Sequence, residues 1–364
     1  MKILFATSII RTKGDVDAFL TDIIKELSKK IEHVYLLCLS CDTLFIANNV
    51  TVFVNPFNIP LLKLLWLFWM TLKITITKRI TFYICFISEI VCIILSICSF
   101  LTRRKTFFWY CSVYDAKDYK AILAVKLSSY ILTCSEIVKI KYIKSYKIKS
   151  NKIFNIGHGI STEKFHYDTY SKEIKSLSSS HFTIVSVARI SPVKEWEKLV
   201  YATFMLKENV PNLRVVAIGS PSSFPTNQQY YEKLQQLIKD LKLDNIWTFV
   251  GPVENRKLIE FFKSANVVVL PGFAYKTILE ALAAGKITLF EEKSARLIFP
   301  AHLYDKLNVL TFNDSKSLLQ RLLDLIKDKD KFTEMSSFLS DLVRNEFSCE
   351  RYVSKILRLV NKSV

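Results

Sequence analysis

Glycine is scarce, at 7 of 364 residues, while half of the chain is hydrophobic. That balance argues against a disordered chain, and the length is comfortable for two cores rather than one. Acidic residues are also short, 33 against 51 basic ones, for a net charge of +18. Such an excess points to an anionic partner (membrane surface, nucleic acid or phosphorylated substrate) or to a solvated lysine-rich surface. Nucleic acid is disfavoured, because no recognisable RNA or DNA module and no aromatic stacking motif is present. Paired metal-ligand spacings are missing as well. Cys38 and Cys41 form a lone CxxC, and none of the five histidines supplies an obvious second ligand pair. Most other cysteines sit in apolar runs, where a free thiol behaves as a small hydrophobe. Met1–Ala6 is too short an apolar run for a secretion signal and lacks a processing site. A reducing, cytoplasmic setting is therefore expected.

What is present is an alternation of strand-like and helix-like segments. Strand signals at Lys2–Ala6 and His33–Leu39 flank a helical stretch, the opening of a doubly wound sheet. Further strands are expected at Val50–Val54, Thr81–Phe86, Thr106–Cys111, Tyr130–Cys134 and Lys152–Ile156. From Phe165 to Ser180 no apolar periodicity remains, and the stretch reads as a linker. A second α/β unit follows, beginning with a strand at Phe182–Val187. The expected organisation is an N-terminal domain at 1–168, a linker at 169–180, a C-terminal domain at 181–346 and a last helix at about 347–364. No internal repeat is visible.

Two segments raise the question of a membrane. Ile80–Phe100 carries one charge, Glu89, and is a transmembrane candidate by length and apolarity. Its β-branched and aromatic start, followed by Ser88-Glu89 as a helix opening, instead predicts strand, helix, strand. Ile59–Lys73 is rich in Leu and Trp with basic flanks. It suits either an interfacial helix on an anionic leaflet or a helix packed on the sheet. The lysines of Lys139–Lys152 suit either anionic lipid or a solvated helix face.

The most informative residues are Val187-Ala-Arg189-Ile-Ser-Pro-Val-Lys194, together with Lys276-Thr277-Ile278-Leu279-Glu280-Ala-Leu-Ala-Ala-Gly285. The first is an apolar strand running into an arginine, with a lysine five residues on. The second opens a helix with a lysine and a glutamate one turn apart. Two cations and a helix N-terminus suit a pyrophosphate, and a carboxylate can accept hydrogen bonds from ribose hydroxyls.

This pair resembles the nucleotide-sugar site of the retaining glycosyltransferases of family 4 (glycosyl transferases group 1), which have the GT-B fold. The resemblance covers most of the chain and is strongest from Val185 to Gly285. It implies an α/β protein of two Rossmann-like doubly wound domains facing across a cleft, with a C-terminal helix crossing back to the first. It implies a metal-independent hexosyltransferase moving sugar from a UDP- or GDP-sugar to a glycan or lipid-linked acceptor in surface polysaccharide or glycoconjugate synthesis. By the same resemblance Arg189, Lys194, Lys276, Thr277, Ile278 and Gly14 face the donor diphosphate, and Glu280 the ribose. Ser112, His158, Gly272 and Phe273 stand on the sugar or acceptor side. No cofactor and no protein nucleophile are implied. The departures lie on that sugar side. Gly272 stands where the family has a first glutamate, Tyr275 where a related subgroup has an acid, and Ser112 where a histidine is common. The glycine loop is reduced to Gly14, and Ser161 follows Ile160 in place of an aspartate. A non-catalytic nucleotide-sugar binder, or a homologue that supports a partner enzyme, is the alternative these departures motivate.

Overall fold

The computed structural model describes residues 1–10, 15–42, 46–111, 118–165 and 181–363. The chain divides into two units, Met1–His158 with Cys349–Val364, and Gly159–Ser348. Each is built on a parallel sheet.

The first unit holds strands β1 (Lys2–Ile10), β2 (His33–Cys41), β3 (Val50–Val54), β4 (Phe82–Phe86), β5 (Lys105–Trp109), β6 (Tyr130–Thr133) and β7 (Ile153–Asn155). Among the described residues they form one sheet in the order β3-β2-β1-β4-β5-β6-β7. The order reverses at β1, as in a doubly wound fold. Helices α1 (Asp15–Lys30), α2 (Pro60–Lys78), α3 (Glu89–Thr102), α4 (Tyr119–Leu127) and α5 (Glu136–Tyr146) make the crossovers. The central strands are hydrophobic without alternation because both faces are covered: all five residues of β4 are buried.

The second unit holds β8 (Phe182–Val187), β9 (Leu213–Ile218), β10 (Trp247–Gly251), β11 (Val267–Leu270), β12 (Thr288–Glu291) and β13 (Thr311–Phe312), in the order β10-β9-β8-β11-β12-β13. Its helices are α6 (Trp196–Leu206), α7 (Pro225–Asp240), α8 (Leu258–Ser264), α9 (Lys276–Ala283), α10 (Glu292–Ile298), α11 (Tyr304–Leu307), α12 (Ser315–Lys327) and α13 (Lys329–Glu346). The last helix, α14 (Cys349–Ser363), returns to the first unit, where Tyr352, Val353, Ile356 and Val360 join its core.

The expected end of the first domain is corrected. The first unit ends at His158, not at 168. Gly159–Phe165 folds with the second unit: the Ile160 N–H donates to the Phe347 carbonyl at 2.8 Å, and Phe165 is buried against Phe262. Phe165 is therefore core rather than linker; the rest of the expected linker, 166–180, lies outside the described residues. As expected, the 80–100 segment is strand and helix leading into a strand (β4, α3 and the approach to β5), with α3 14 residues long. Among the described residues, the helix long and apolar enough to cross a membrane, by length and composition, is α2. It buries one narrow face (Leu67, Thr71, Ile74, Thr75) and leaves Leu61, Leu65, Trp69 and Ile76 more than half exposed. In the lysine run, the Lys152 ammonium caps α4 by donating to the Val125 and Lys126 carbonyls at 3.1 and 2.7 Å, so that lysine serves the fold.

Candidate functional site

The Arg189 and Lys194 motif is shaped by the end of β8. Beyond Val187 the chain stays beside β9: Ala188 N–H donates to Ile218 O and Ile190 N–H to Ser220 O, both at 3.0 Å. This approach is so close that a Cβ on Gly219, which sits at φ +137°, would lie 2.0 Å from the Ala188 carbonyl oxygen. A tight turn at Pro192–Lys194 then leads into α6. Fully buried Trp196 fastens the turn from below, its indole N–H donating to the Arg189 carbonyl at 3.1 Å and its backbone N–H to Tyr230 Oη at 2.9 Å. The Arg189 side chain is exposed.

The second motif meets the first at this turn. The Lys194 ammonium donates to the Phe273 carbonyl, and the Phe273 N–H donates to Val193 O at 3.3 Å. Gly272 lies directly on the turn: a Cβ there would come within 2.3–2.5 Å of the Lys194 backbone. Any side chain at this position would meet the Lys194 backbone. Burial, and secondarily the charge of Arg189, lower the Lys194 ammonium from 10.5 to about 8.

α9 starts just beyond, with no side chain capping its first turn. Its orphan N–H groups and dipole favour an anion. Lys276 and Thr277 are half-buried in that turn, and Ile278 is core. Glu280 is 2% exposed; its carboxylate is held by Lys276 at 3.2 Å and by the Asn255 amide at 3.0 Å. Phe273 stacks edge-on against Tyr275. The second unit thus brings Lys194, Gly272 and Phe273 into direct contact and sets Arg189 near them, with Lys276, Thr277, Ile278 and Glu280 on the adjoining helix. His158 belongs to the first unit, where it stands next to Cys134 and favours the thiolate form of that thiol. Gly14 and Ser112 lie outside the described residues.

One functional feature is absent from the sequence reading. Glu195, directly after Lys194, is in the left-handed region at φ +46°. Its carboxylate receives Lys198 at 2.9 Å and Lys293 at 2.7 Å, and both lysines also reach Glu291, which is 1% exposed at the end of β12. Burial opposes the charge on Glu195, but hydrogen bonds with Glu291, Lys293 and Lys198 hold its carboxyl down to about 2. Burial and the Glu195 carboxylate push Glu291 the other way. This quartet ties down a strained residue directly beside Lys194. Its sequence signal is slight: a Glu-Trp-Glu-Lys alternation after Lys194 and Glu-Glu-Lys after a strand. Among the described residues no group of three or more His, Cys, Asp or Glu is placed to hold a metal ion.

A model of the glycosyl transferases group 1 family matches residues 169–337. A D-inositol 3-phosphate glycosyltransferase of Pseudarthrobacter chlorophenolicus is 28% identical over 120 residues, 32% of this chain and 27% of the relative. One from Kineococcus radiotolerans is 32% identical over 105 residues, 28% of this chain and 24% of the relative. The match therefore spans about a quarter of the length of these curated relatives. Among solved structures, Anabaena Alr3699/HepE in complex with UDP-glucose superposes with a TM-score of 0.76 at 18% identity, over 100% of both chains. The fold is GT-B, with two Rossmann-like units and a returning C-terminal helix.

Proposed function

We propose that this chain is a retaining, metal-independent glycosyltransferase that moves a hexose from a UDP- or GDP-sugar to a glycan or lipid-linked acceptor, in surface polysaccharide or glycoconjugate synthesis. The observation that carries the reading is the contact of Lys194 with the 272–273 turn, beside Arg189 and the uncapped start of α9. Two cations and a helix N-terminus in one place stabilise a leaving nucleoside diphosphate as its charge grows. The match of residues 169–337 to glycosyl transferases group 1 and the UDP-glucose complex of the GT-B neighbour support the donor class. Glu280, pre-positioned by Asn255, takes the ribose hydroxyls once Lys276 turns to phosphate. Charge neutralisation by side chains is the role a metal would otherwise fill, and no protein nucleophile is assigned.

The acceptor side is proposed to work at the inner face of a membrane, with the chain cytoplasmic and peripheral. Supporting this, α2 and α3 expose Trp69, Ile76, Phe100 (85%) and Leu101 beside Lys73, Lys78, Arg79, Arg103 and Arg104. Apolar anchors ringed by cations suit an anionic leaflet. The test is turnover of the purified chain with UDP- and GDP-sugars and lipid-linked acceptors. Nucleoside diphosphate release that requires acceptor supports transfer; donor binding without release under every acceptor supports the non-catalytic homologue instead.

A further inference from the structure

The C-terminal ends of three adjacent strands in the first unit bring two thiols and an imidazole together. β5 and β6 pair through Trp109 and Leu132, and the Tyr110 N–H donates to Leu132 O at 2.9 Å. Two residues past that pair on each strand stand Cys111 and Cys134. Parallel neighbours lie about 4.8 Å apart, within the Cα separation of about 4.4–6.8 Å that a disulfide spans. β6 and β7 pair through Thr133 and Asn155, the Ile156 N–H donates to Thr133 O at 2.8 Å, and His158 follows two residues on. This register sets the Cys111 and Cys134 sulfurs side by side with His158 next to Cys134, close enough for each to shift the other's ionisation. Cys134 is buried and Cys111 is partly exposed.

We propose that Cys111 and Cys134 are a redox-active dithiol that reacts with low-molecular-weight disulfides, with Cys134 as the attacking sulfur and His158 as the group that activates it. The two sulfurs are electronically unlike. The neighbouring Cys111 thiol, aided by His158, holds Cys134 below the ordinary thiol range, whereas the Cys134 sulfur and burial push Cys111 up. Cys38, Cys85 and Cys98 are all pushed up by burial and lack an imidazole partner. In the reaction, the Cys134 thiolate attacks one sulfur of RSSR, the S–S bond breaks and RS⁻ leaves. The Cys111 sulfur then displaces the second RS⁻ from the mixed disulfide. The two thiol protons end on the two RSH released, so the dithiol is oxidised and RSSR is reduced. Tyr352 of α14 faces Cys111 and Cys134, and its ring packs on Trp109 at 5.3 Å. The bond would therefore form beside His158, where the chain leaves this unit, and against Tyr352 of the returning helix α14.

The test equilibrates the full chain with glutathione disulfide, traps free thiols by alkylation and maps peptides by mass. A Cys111–Cys134 cross-linked pair appearing before any other, and reversed by dithiothreitol, is the expected result. Cys111→Ser should trap a glutathione adduct on Cys134, and His158→Gln should slow adduct formation about tenfold or more near neutral pH. Oxidation of Cys38 and Cys41 first, or no disulfide until the chain unfolds, would overturn the proposal. An unchanged rate in His158→Gln would remove the imidazole from it. If the variants do not fold, the order of oxidation in the unaltered chain decides alone.

Discussion

The two units solve the same architectural problem and differ in what they leave unsatisfied. In the second, charge is carried inward and anchored. Lys194 reaches a backbone carbonyl, Glu280 is clamped by Lys276 and Asn255, and Glu195 and Glu291 are locked between Lys198 and Lys293. In the first, the unsatisfied surface is apolar: α2 and α3 turn Leu61, Trp69, Ile76 and Phe100 to solvent. A buried charge is kept only where geometry over-determines it, and a large exposed apolar face marks a surface awaiting contact. The comparison is what the proposals of anion chemistry in the second unit and of membrane contact in the first rest on.

The sharpest way to break that comparison is at the glycines. Gly219→Ala and Gly272→Glu place a Cβ 2.0 and 2.3 Å from backbone atoms, and each should cost about 3 kcal/mol or more in denaturant unfolding. Gly157→Ala in the first unit has φ +77° but nothing within 4 Å, so it should cost only about 1 kcal/mol. Equal costs would mean that the turn at Lys194 is not held as described. Next, Glu291→Gln leaves Lys198 and Lys293 facing a weakened partner; discounted because Lys293 is half-exposed, the loss should be about 2 kcal/mol. A neutral result would show that Glu195 alone holds the turn.

A pH titration separates binding from stability. The folded Lys194 loses its proton near pH 8, the unfolded one near 10.5. Between those values the unfolded chain binds more protons, so this residue makes stability rise with pH. Diphosphate binding needs the cation and should fall over the same window, as measured by calorimetry from pH 7 to 9.5. Parallel slopes would remove Lys194 from the anion site. The smallest stability effect belongs to Leu65→Ser with Trp69→Ser. Both side chains are more than half exposed, so unfolding should shift by only about 0.5 kcal/mol, while flotation with anionic liposomes should drop. Undiminished flotation would move the membrane contact away from α2.

The sheets were legible because parallel strands covered on both faces must be continuously apolar, as Phe82–Phe86 and Val267–Leu270 are. The motif at Arg189, Lys194 and Glu280 was legible as residue types at fixed spacing. The three-dimensional uses of those residues were not. No local pattern distinguishes Lys152, which caps α4, from the exposed lysines around it. The contact that leaves no room for a side chain at Gly272 comes from a residue 78 positions earlier, Lys194. The boundary at His158 was hidden because Gly159–Phe165 has no periodicity of its own and is recruited by Phe347 and Phe262. Glu195 was missed because nothing in its neighbours announces a left-handed backbone.

The central claim is that the second unit holds a nucleoside diphosphate through Arg189 and Lys194. The most direct test is a thermal-shift and calorimetric screen of UDP- and GDP-sugars against the unaltered chain and Arg189→Ala/Lys194→Ala. Stabilisation by one of these donors, lost in the double variant while its own unfolding stays cooperative, is the predicted result. Stabilisation that survives in the double variant, or none by any donor, would contradict it.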